Sequence, residues 1–189
     1  VDGVSSIGAV EVDLIKDKID VLVSGSQKAI MLPPGVAFVA YSDRAKDRFA
    51  EVTTPRFYLD LNKYLSSQEQ NSTPFTPNVA LFRGVNAYVE LVKHEGLNHV
   101  IKRHYSIRNA LRTALKSLDL ELLVKDDSYA SPTVTSFVPK DKEELTYLKD
   151  QLKSRFNITI AGVQGHLKGH ILRIGHMGKV SPFYILSVV

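Results

Sequence analysis

In the stretch "VSGSQKAIMLPPG", residues 23–35, one lysine, Lys28, follows an apolar run and stands just ahead of a proline–glycine turn, with no acid beside it. Burial disfavours the charged ammonium, so a lysine in such a setting can keep its amine partly neutral and form a Schiff base. A lysine that packs its stem and leaves its head in water gives the same pattern, and Lys28 by itself does not separate the two. Asp2 comes directly after Val1 and before the small residues "GVSSIG". A carboxylate at the end of a buried strand must meet a cation or hydrogen-bond donors; otherwise it serves a turn or a helix cap. Arg173 sits in "HILRIGHMG", an apolar stretch with glycines and no neighbouring acid. A buried guanidinium there calls for a planar anion, either a substrate carboxylate or an internal Asp or Glu. The loop "STPFTP" offers the hydroxyls of Thr73 and Thr76 to a phosphate, or is a plain proline-rich turn.

Two other groups carry less. His166, His170 and His176 share one glycine-rich stretch, but no carboxylates stand near them, so a metal site is not expected. The basic stretch "KRHYSIRNALRTALK", residues 102–116, has no aromatic stacking pattern or binding motif with it. It reads as a solvated helix face, and no nucleic acid partner is expected.

These residues must be held by regular elements. "IDVLVSGS" (19–26) and "GVAFVAYS" (35–42) read as short strands buried on both faces, joined through the turn at Pro33, Pro34 and Gly35. "RFYLDLNKYL" (56–65) reads as a strand passing into a short helix, and residues 66–78 as a polar loop linking to a second region. From Val79 the apolar residues recur at helical spacing until Gly96 breaks the run. A second helix carries Val100, Ile101, Ile107, Leu111, Leu115 and Leu118 on its buried face. "PTVTSFVP" (132–139) alternates like a half-exposed strand, and Asp141 can cap a helix over 142–155 that turns Leu145, Leu148 and Leu152 inward. "ITIAG" and "HILRIGHMG" read as two further strands, so the C-terminal part is α+β with helices on one face.

The bulk properties bound the function. A length of 189 residues suffices for one large domain or two small ones. The absence of Cys removes disulfides, cysteine zinc sites and thiolate mechanisms. The net charge of +4 is modest, and acids and bases are interspersed, so no broad basic field is implied. No run of about eighteen apolar residues suggests a transmembrane helix, and the start lacks the layout of a signal peptide. A cytoplasmic location without a membrane partner is expected. The chain has no initiator Met and no lead-in to its first strand, so it is read as a fragment or cleavage product that begins inside a domain.

"VDGVSSIGAVEVD", "IDVLVSGSQKAIMLPPG" and "TIAGVQGHLKGHILRIGHMG" together resemble the class V, fold type I pyridoxal-phosphate aminotransferases, within them the alanine–glyoxylate and serine–pyruvate group. The resemblance runs through nearly the whole chain, and "GSQK" and "RIGHMG" are its most specific parts. It implies an α/β fold, the C-terminal half of the large cofactor domain over residues 1–78. An interdomain helix and a small α+β domain follow over residues 79–189. It implies pyridoxal 5'-phosphate as cofactor, with Lys28 as the Schiff-base lysine and Asp2 at the pyridinium nitrogen. Val4 would lie against the ring, Gln27 beside the cofactor, and Arg173 on the substrate carboxylate. Thr73 and Thr76 would reach the phosphate of the other subunit's cofactor, although the family often has Tyr at the place of Thr73. The activity implied is ping-pong transamination of a small amino acid, of the alanine or serine class, with glyoxylate or pyruvate in a homodimer. The family's phosphate loop and ring-stacking aromatic precede the strand of Asp2 and have no counterpart here, so the N-terminal half of the same protein is an expected partner. Cysteine desulfurases of the same class need a Cys and typically carry His where Gln27 stands; this chain has neither. A non-catalytic dimerisation or interaction module on the same fold is the alternative.

Overall fold

The computed structural model describes residues 1–189 and divides them into two compact units. Unit 1 holds Val1–Ile7 and Glu11–Leu91, and unit 2 holds Gly8–Val10 and Val92–Val189.

In unit 1, β1 (Val21–Gly25) and β2 (Ala37–Tyr41) pair antiparallel, Val21 opposite Tyr41 and Gly25 opposite Ala37. Both are rich in the β-branched and aromatic side chains that fit a pleated surface. The segment of Asp2 runs parallel along the other edge of β1, where Val23 N–H donates to Val1 O at 3.0 Å and Gly3 N–H donates to Val23 O at 2.7 Å. Gly3 is buried there because a Cβ would stand 2.8 Å from Leu22 Cδ1 and 3.3 Å from the Val23 carbonyl oxygen. The expected burial of both strands on both faces does not hold. In β2, Ala37, Val39 and Ala40 are exposed, because the strand pairs with β1 alone and its other edge is uncovered within the unit.

Two helices and most of a third complete the unit. The first, α1 (Asp43–Glu51), starts where the Ser42 hydroxyl accepts Ala45 N–H. The second, α2 (Leu61–Glu69), is capped by the Asp60 carboxylate on Asn62 N–H. No strand precedes it. Arg56 instead donates to the carbonyls of Phe49, Val52 and Thr54 and pairs with Asp60, which closes residues 49–60 into a turn. The polar loop therefore starts at residue 70, after α2 has ended. The long α3 (Val79–Glu95) begins where Asn78 Oδ1 accepts Leu81 N–H at 3.1 Å.

Gly96, at φ 85°, ends that run and opens α4 (Leu97–Ser117) in unit 2. Behind α4 stands an antiparallel sheet in the order β3 (Glu121–Leu122), β4 (Val134–Val138) and β5 (Leu172–Gly175), with Phe137 between Leu122 and Leu172. Alternation along β4 sends Thr135 and Phe137 inward, as expected. Ile107, Leu111 and Leu115 of α4 meet Leu122, Phe137, Ile160, Leu172, Ile174 and Ile185 in one continuous core. Asp141 caps α5 (Lys142–Phe156) on Glu144 N–H, and Leu145, Leu148 and Leu152 pack against that core. "ITIAG" forms only a bridge, Ala161 against Arg173, and a short α6 (Pro182–Leu186) follows β5. No helix is long and apolar enough to cross a membrane.

The basic stretch of α4 is not a solvated face. His104, Arg108 and Arg112 are buried. Arg108 donates to Ala130 O at 2.8 Å, and Arg112 donates to Val124 O at 2.7 Å and to Asp127 at 2.6 Å. These residues recur every fourth position in line with Val100, so they share the inward flank of the helix. The two guanidinium charges, of Arg108 and Arg112, are met by loop carbonyls and a carboxylate.

Candidate active site

Lys28 lies in the tight turn that follows β1, and it is half-buried. Its carbonyl accepts Met31 N–H at 2.9 Å. The turn is braced by Ser26, a residue the sequence reading passed over. Ser26 is fully buried. Its hydroxyl donates to Pro33 O at 2.7 Å and accepts Val36 N–H at 3.3 Å. Its backbone N–H donates to Val36 O and its carbonyl accepts Leu32 N–H, both at 3.0 Å. One small side chain thus closes the loop that carries the lysine, and only its fixed place in "GSQK" hinted at this. Gln27 is exposed, and its side-chain oxygen lies 2.7 Å from where a Cβ on Gly25 would stand.

Asp2 is exposed and pairs with Val23, on the strand that leads to Gln27 and Lys28. Its Oδ1 accepts Val4 N–H at 2.9 Å, so it also makes the turn that was its plainer reading. One carboxylate oxygen is committed to that turn, and the group retains further acceptor capacity. Asp2 and Val4 therefore lie on the segment along one edge of β1, and Gln27 and Lys28 in the turn that follows β1. An amine after a strand and a carboxylate on the segment alongside it are groups of the kind that an aldehyde cofactor with a basic ring nitrogen requires.

Thr73 and Thr76 are also in unit 1 and line one cavity of about 380 Å³, together with Tyr58, Tyr64, Phe75 and Phe82. Thr73 donates its hydroxyl to Phe75 O at 2.8 Å, which leaves that oxygen as an acceptor. Burial and the neighbouring Tyr58 push the Tyr64 phenol above its ordinary range.

Arg173 belongs to unit 2. It lies opposite Ser136 in the sheet and exchanges backbone hydrogen bonds with Ala161 at 2.8 and 3.2 Å. The side chain is exposed, not buried as its apolar surroundings suggested, because alternation along β5 sends Leu172 and Ile174 to the core and Arg173 to the other face. No internal carboxylate pairs with it. Of the three glycine-stretch histidines, His166 and His170 are exposed while His176 is fully buried. Burial lowers the His176 imidazole to about 4. No three His, Asp or Glu side chains are grouped to hold a metal ion.

A family model described as aminotransferase class-V matches residues 1–184. The chain belongs to the class-V aminotransferase family. As a class-V chain it is 44% identical, over 100% of its length and 49% of the relative's, to a protein of Synechococcus sp. named soluble hydrogenase, small subunit. It is 32% identical to an L-aspartate–glyoxylate aminotransferase of Paracoccus denitrificans, over 99% of this chain and 47% of that one. The crystal structure of an alanine–glyoxylate aminotransferase from Nostoc sp. superposes with a TM-score of 0.86 at 28% identity, covering 95% of this chain and 48% of that one. The class-V chain thus has the fold of part of a fold type I aminotransferase and spans about half the length of the curated relatives it matches.

Proposed function

We propose that this chain is the C-terminal half of a pyridoxal-phosphate-dependent aminotransferase that exchanges an amino group between a small amino acid and glyoxylate or pyruvate by ping-pong turnover. Residues 1–78 would complete the cofactor domain, and residues 79–189 would form the interdomain helix and the small domain. One observation carries the reading: a half-buried lysine in a turn braced by Ser26, beside a segment that bears a carboxylate, in a chain that matches the class-V family through residue 184. Names of relatives support a glyoxylate acceptor and a small donor.

The residues present fit the cofactor. Lys28 would hold it covalently, Asp2 would face its ring nitrogen, Val4 its ring, and Gln27 would stand beside it. Thr73 and Thr76 would reach the phosphate bound by the other subunit of a homodimer. The exposed apolar side chains Val39, Phe57, Tyr58 and Phe82 of the same unit support a polypeptide partner on that side. When bound, pyridoxal phosphate supplies an aldehyde for the amino group and a sink for the electrons left at the substrate Cα. The Lys28 amine would act as the base that takes the proton from the substrate Cα and holds it for return. Asp2 favours the protonated ring nitrogen by its charge. Arg173 binds the substrate carboxylate through its planar fork and orients the Cα–H bond.

The test is an absorbance spectrum of the full-length protein with pyridoxal phosphate, followed by borohydride reduction and peptide mapping. A yellow band is expected that borohydride bleaches as it fixes the cofactor onto Lys28, and that is absent in Lys28→Ala. A band that survives in Lys28→Ala with activity intact refutes the assignment. No band in the complete protein favours an interaction module built on the same fold.

A further inference from the structure

His104 lies on α4 and is fully buried. Its Nδ1 is 2.8 Å from Val100 O, so it must carry the proton and donate there. Its Nε2 is 2.9 Å from Gly178 N and accepts that N–H. The two contacts together require a neutral ring with the proton on Nδ1. Arg103, the preceding residue, donates to Gly178 O at 2.6 Å and is itself held by Glu95 at 2.7 and 3.2 Å. Both polar backbone groups of Gly178 are therefore held by consecutive side chains of α4. His176, two residues earlier, donates its backbone N–H to Thr133 O at 2.9 Å and sets Nε2 2.9 Å from Thr135 Oγ1. Residues 176–178 are thereby fastened to β4 on one side and to α4 on the other, immediately after the strand that carries Arg173.

We propose that His104 is a positioning residue for Arg173: by accepting the Gly178 N–H it fixes the segment leaving β5, and so the base from which the guanidinium reaches a substrate carboxylate. The inference rests on the reading of Arg173 as the carboxylate ligand. Protonation of Nε2 would replace an acceptor by a donor aimed at the Gly178 N–H, and the clamp would open. Burial lowers the His104 pKa below its ordinary 6.5, so the ring stays neutral at pH 7 and the clamp loosens on the acid side. The charged and titratable groups that act on it are Arg103 on α4, Glu95 at the end of α3 and His176 after β5, with Lys179 acting on Glu95 and Arg108 on His176 in turn. Arg103 opposes protonation of His104 and Glu95 favours it.

Steady-state kinetics and amide hydrogen exchange of the full-length enzyme test this. His104→Leu removes the acceptor and is expected to raise KM for the amino acid about tenfold, the worth of one buried hydrogen bond, with kcat changed less than about twofold. It should also deprotect residues 174–179 to exchange in the absence of substrate. His104→Gln offers an uncharged acceptor at nearly the reach of Nε2 and is expected to restore KM. It should also abolish the rise in KM expected of the wild type on the acid side. Wild-type KM values in both variants, with KM raised in Arg173→Ala, would overturn the inference and leave the Arg173 reading intact. An unchanged KM in Arg173→Ala would overturn both. Should His104→Leu fail to fold, the comparison of wild type with His104→Gln decides, since identical acid profiles of KM in the two overturn the proposal.

Discussion

Unit 2 buries a continuous apolar cluster between α4 and its three-stranded sheet, and no such cluster forms in unit 1. The large apolar side chains of unit 1 are largely displayed. Val23, Val39, Phe57, Tyr58, Leu59 and Phe82 are all exposed, around a sheet of only two named strands. A two-stranded ribbon is marginal without a packed face, so unit 1 is built to be covered, whereas unit 2 contains its own core. The candidate cofactor residues all lie in the unit that needs cover. The candidate carboxylate ligand lies in the unit that does not. The difference teaches that the candidate residues are stabilised by different means: Arg173 by the interior beneath it, Lys28 by the backbone hydrogen bonds that Ser26 organises.

The comparison breaks most directly through the core. Leu111→Ala in α4, where the side chain is 0% exposed, should cost about 2–5 kcal/mol in urea unfolding. Val39→Ala in β2 should cost less than about 1 kcal/mol in the same chain. Equal losses would mean that unit 1 holds its apolar residues as firmly as unit 2 and that the contrast is false.

Acid should act on the same unit. His176 binds its proton at about 4 when folded and near 6.5 when unfolded, so the unfolded state takes up more protons between those values. Its contribution is fully present above pH 6.5, fades as pH falls, and amounts to about 3 kcal/mol lost by pH 4. Unfolding midpoints measured from pH 7 to pH 4 should therefore fall for the wild type and fall less for His176→Gln. A wild-type slope identical to that of the variant would show that the buried ring does not drive the loss.

What could be read in advance was what is local. The stop at Gly96, the cap at Asp141, the apolar stripe of α4 as far as Leu115 and the alternation of β4 each depend on residues within a turn or two, and each is present; Leu118, expected on the same buried face, is instead the exposed C-cap. The turn with Lys28 at the end of a strand was legible for the same reason. The misses depend on partners remote in the chain. Arg108 is drawn inward by Ala130, 22 positions away, and His104 by Gly178, 74 positions away, so a basic stripe that looked solvated is internal. The helix α1 was overlooked because "DRAKDRFAE" is short and strongly polar, with Ala45 and Phe49 alone spaced for one apolar face, and its start is set by the Ser42 hydroxyl. Ser26 gave no sign in its own type, since only the folded loop shows that one hydroxyl serves both Pro33 and Val36.

The internal position of those basic residues gives a sharper probe than a volume change. Arg108 also stacks over the Tyr105 ring at 4.7 Å, so Arg108→Met preserves much of the stem packing while it removes the donor to Ala130 O. The buried carbonyl left without a partner should cost about 1–3 kcal/mol. Arg108→Ala should cost more than Arg108→Met, because packing is lost as well. If Arg108→Met unfolds at the wild-type urea concentration, the basic stripe of α4 contributes nothing specific and unit 2 rests on apolar contacts alone.

The smallest effect separates the units most cleanly. Asp141 is exposed, its carboxylate accepts Glu144 N–H at 2.7 Å, and Glu144 reaches back to Lys140 N–H. Asp141→Ala removes the cap of α5 and should cost about 1 kcal/mol. Asp141→Ser, which keeps a hydroxyl acceptor, should recover most of that loss. The helix packs Leu145, Leu148 and Leu152 on the core of unit 2, whereas the residues proposed to hold a cofactor belong to unit 1. Stability of unit 2 should fall, therefore, while the fraction of Lys28 trapped by borohydride in the cofactor-loaded full-length protein stays at the wild-type level. A loss of trapping that scales with the loss of stability would mean that the lysine turn relies on the interior of unit 2, and the division between a self-supporting unit and a covered one would have to be abandoned.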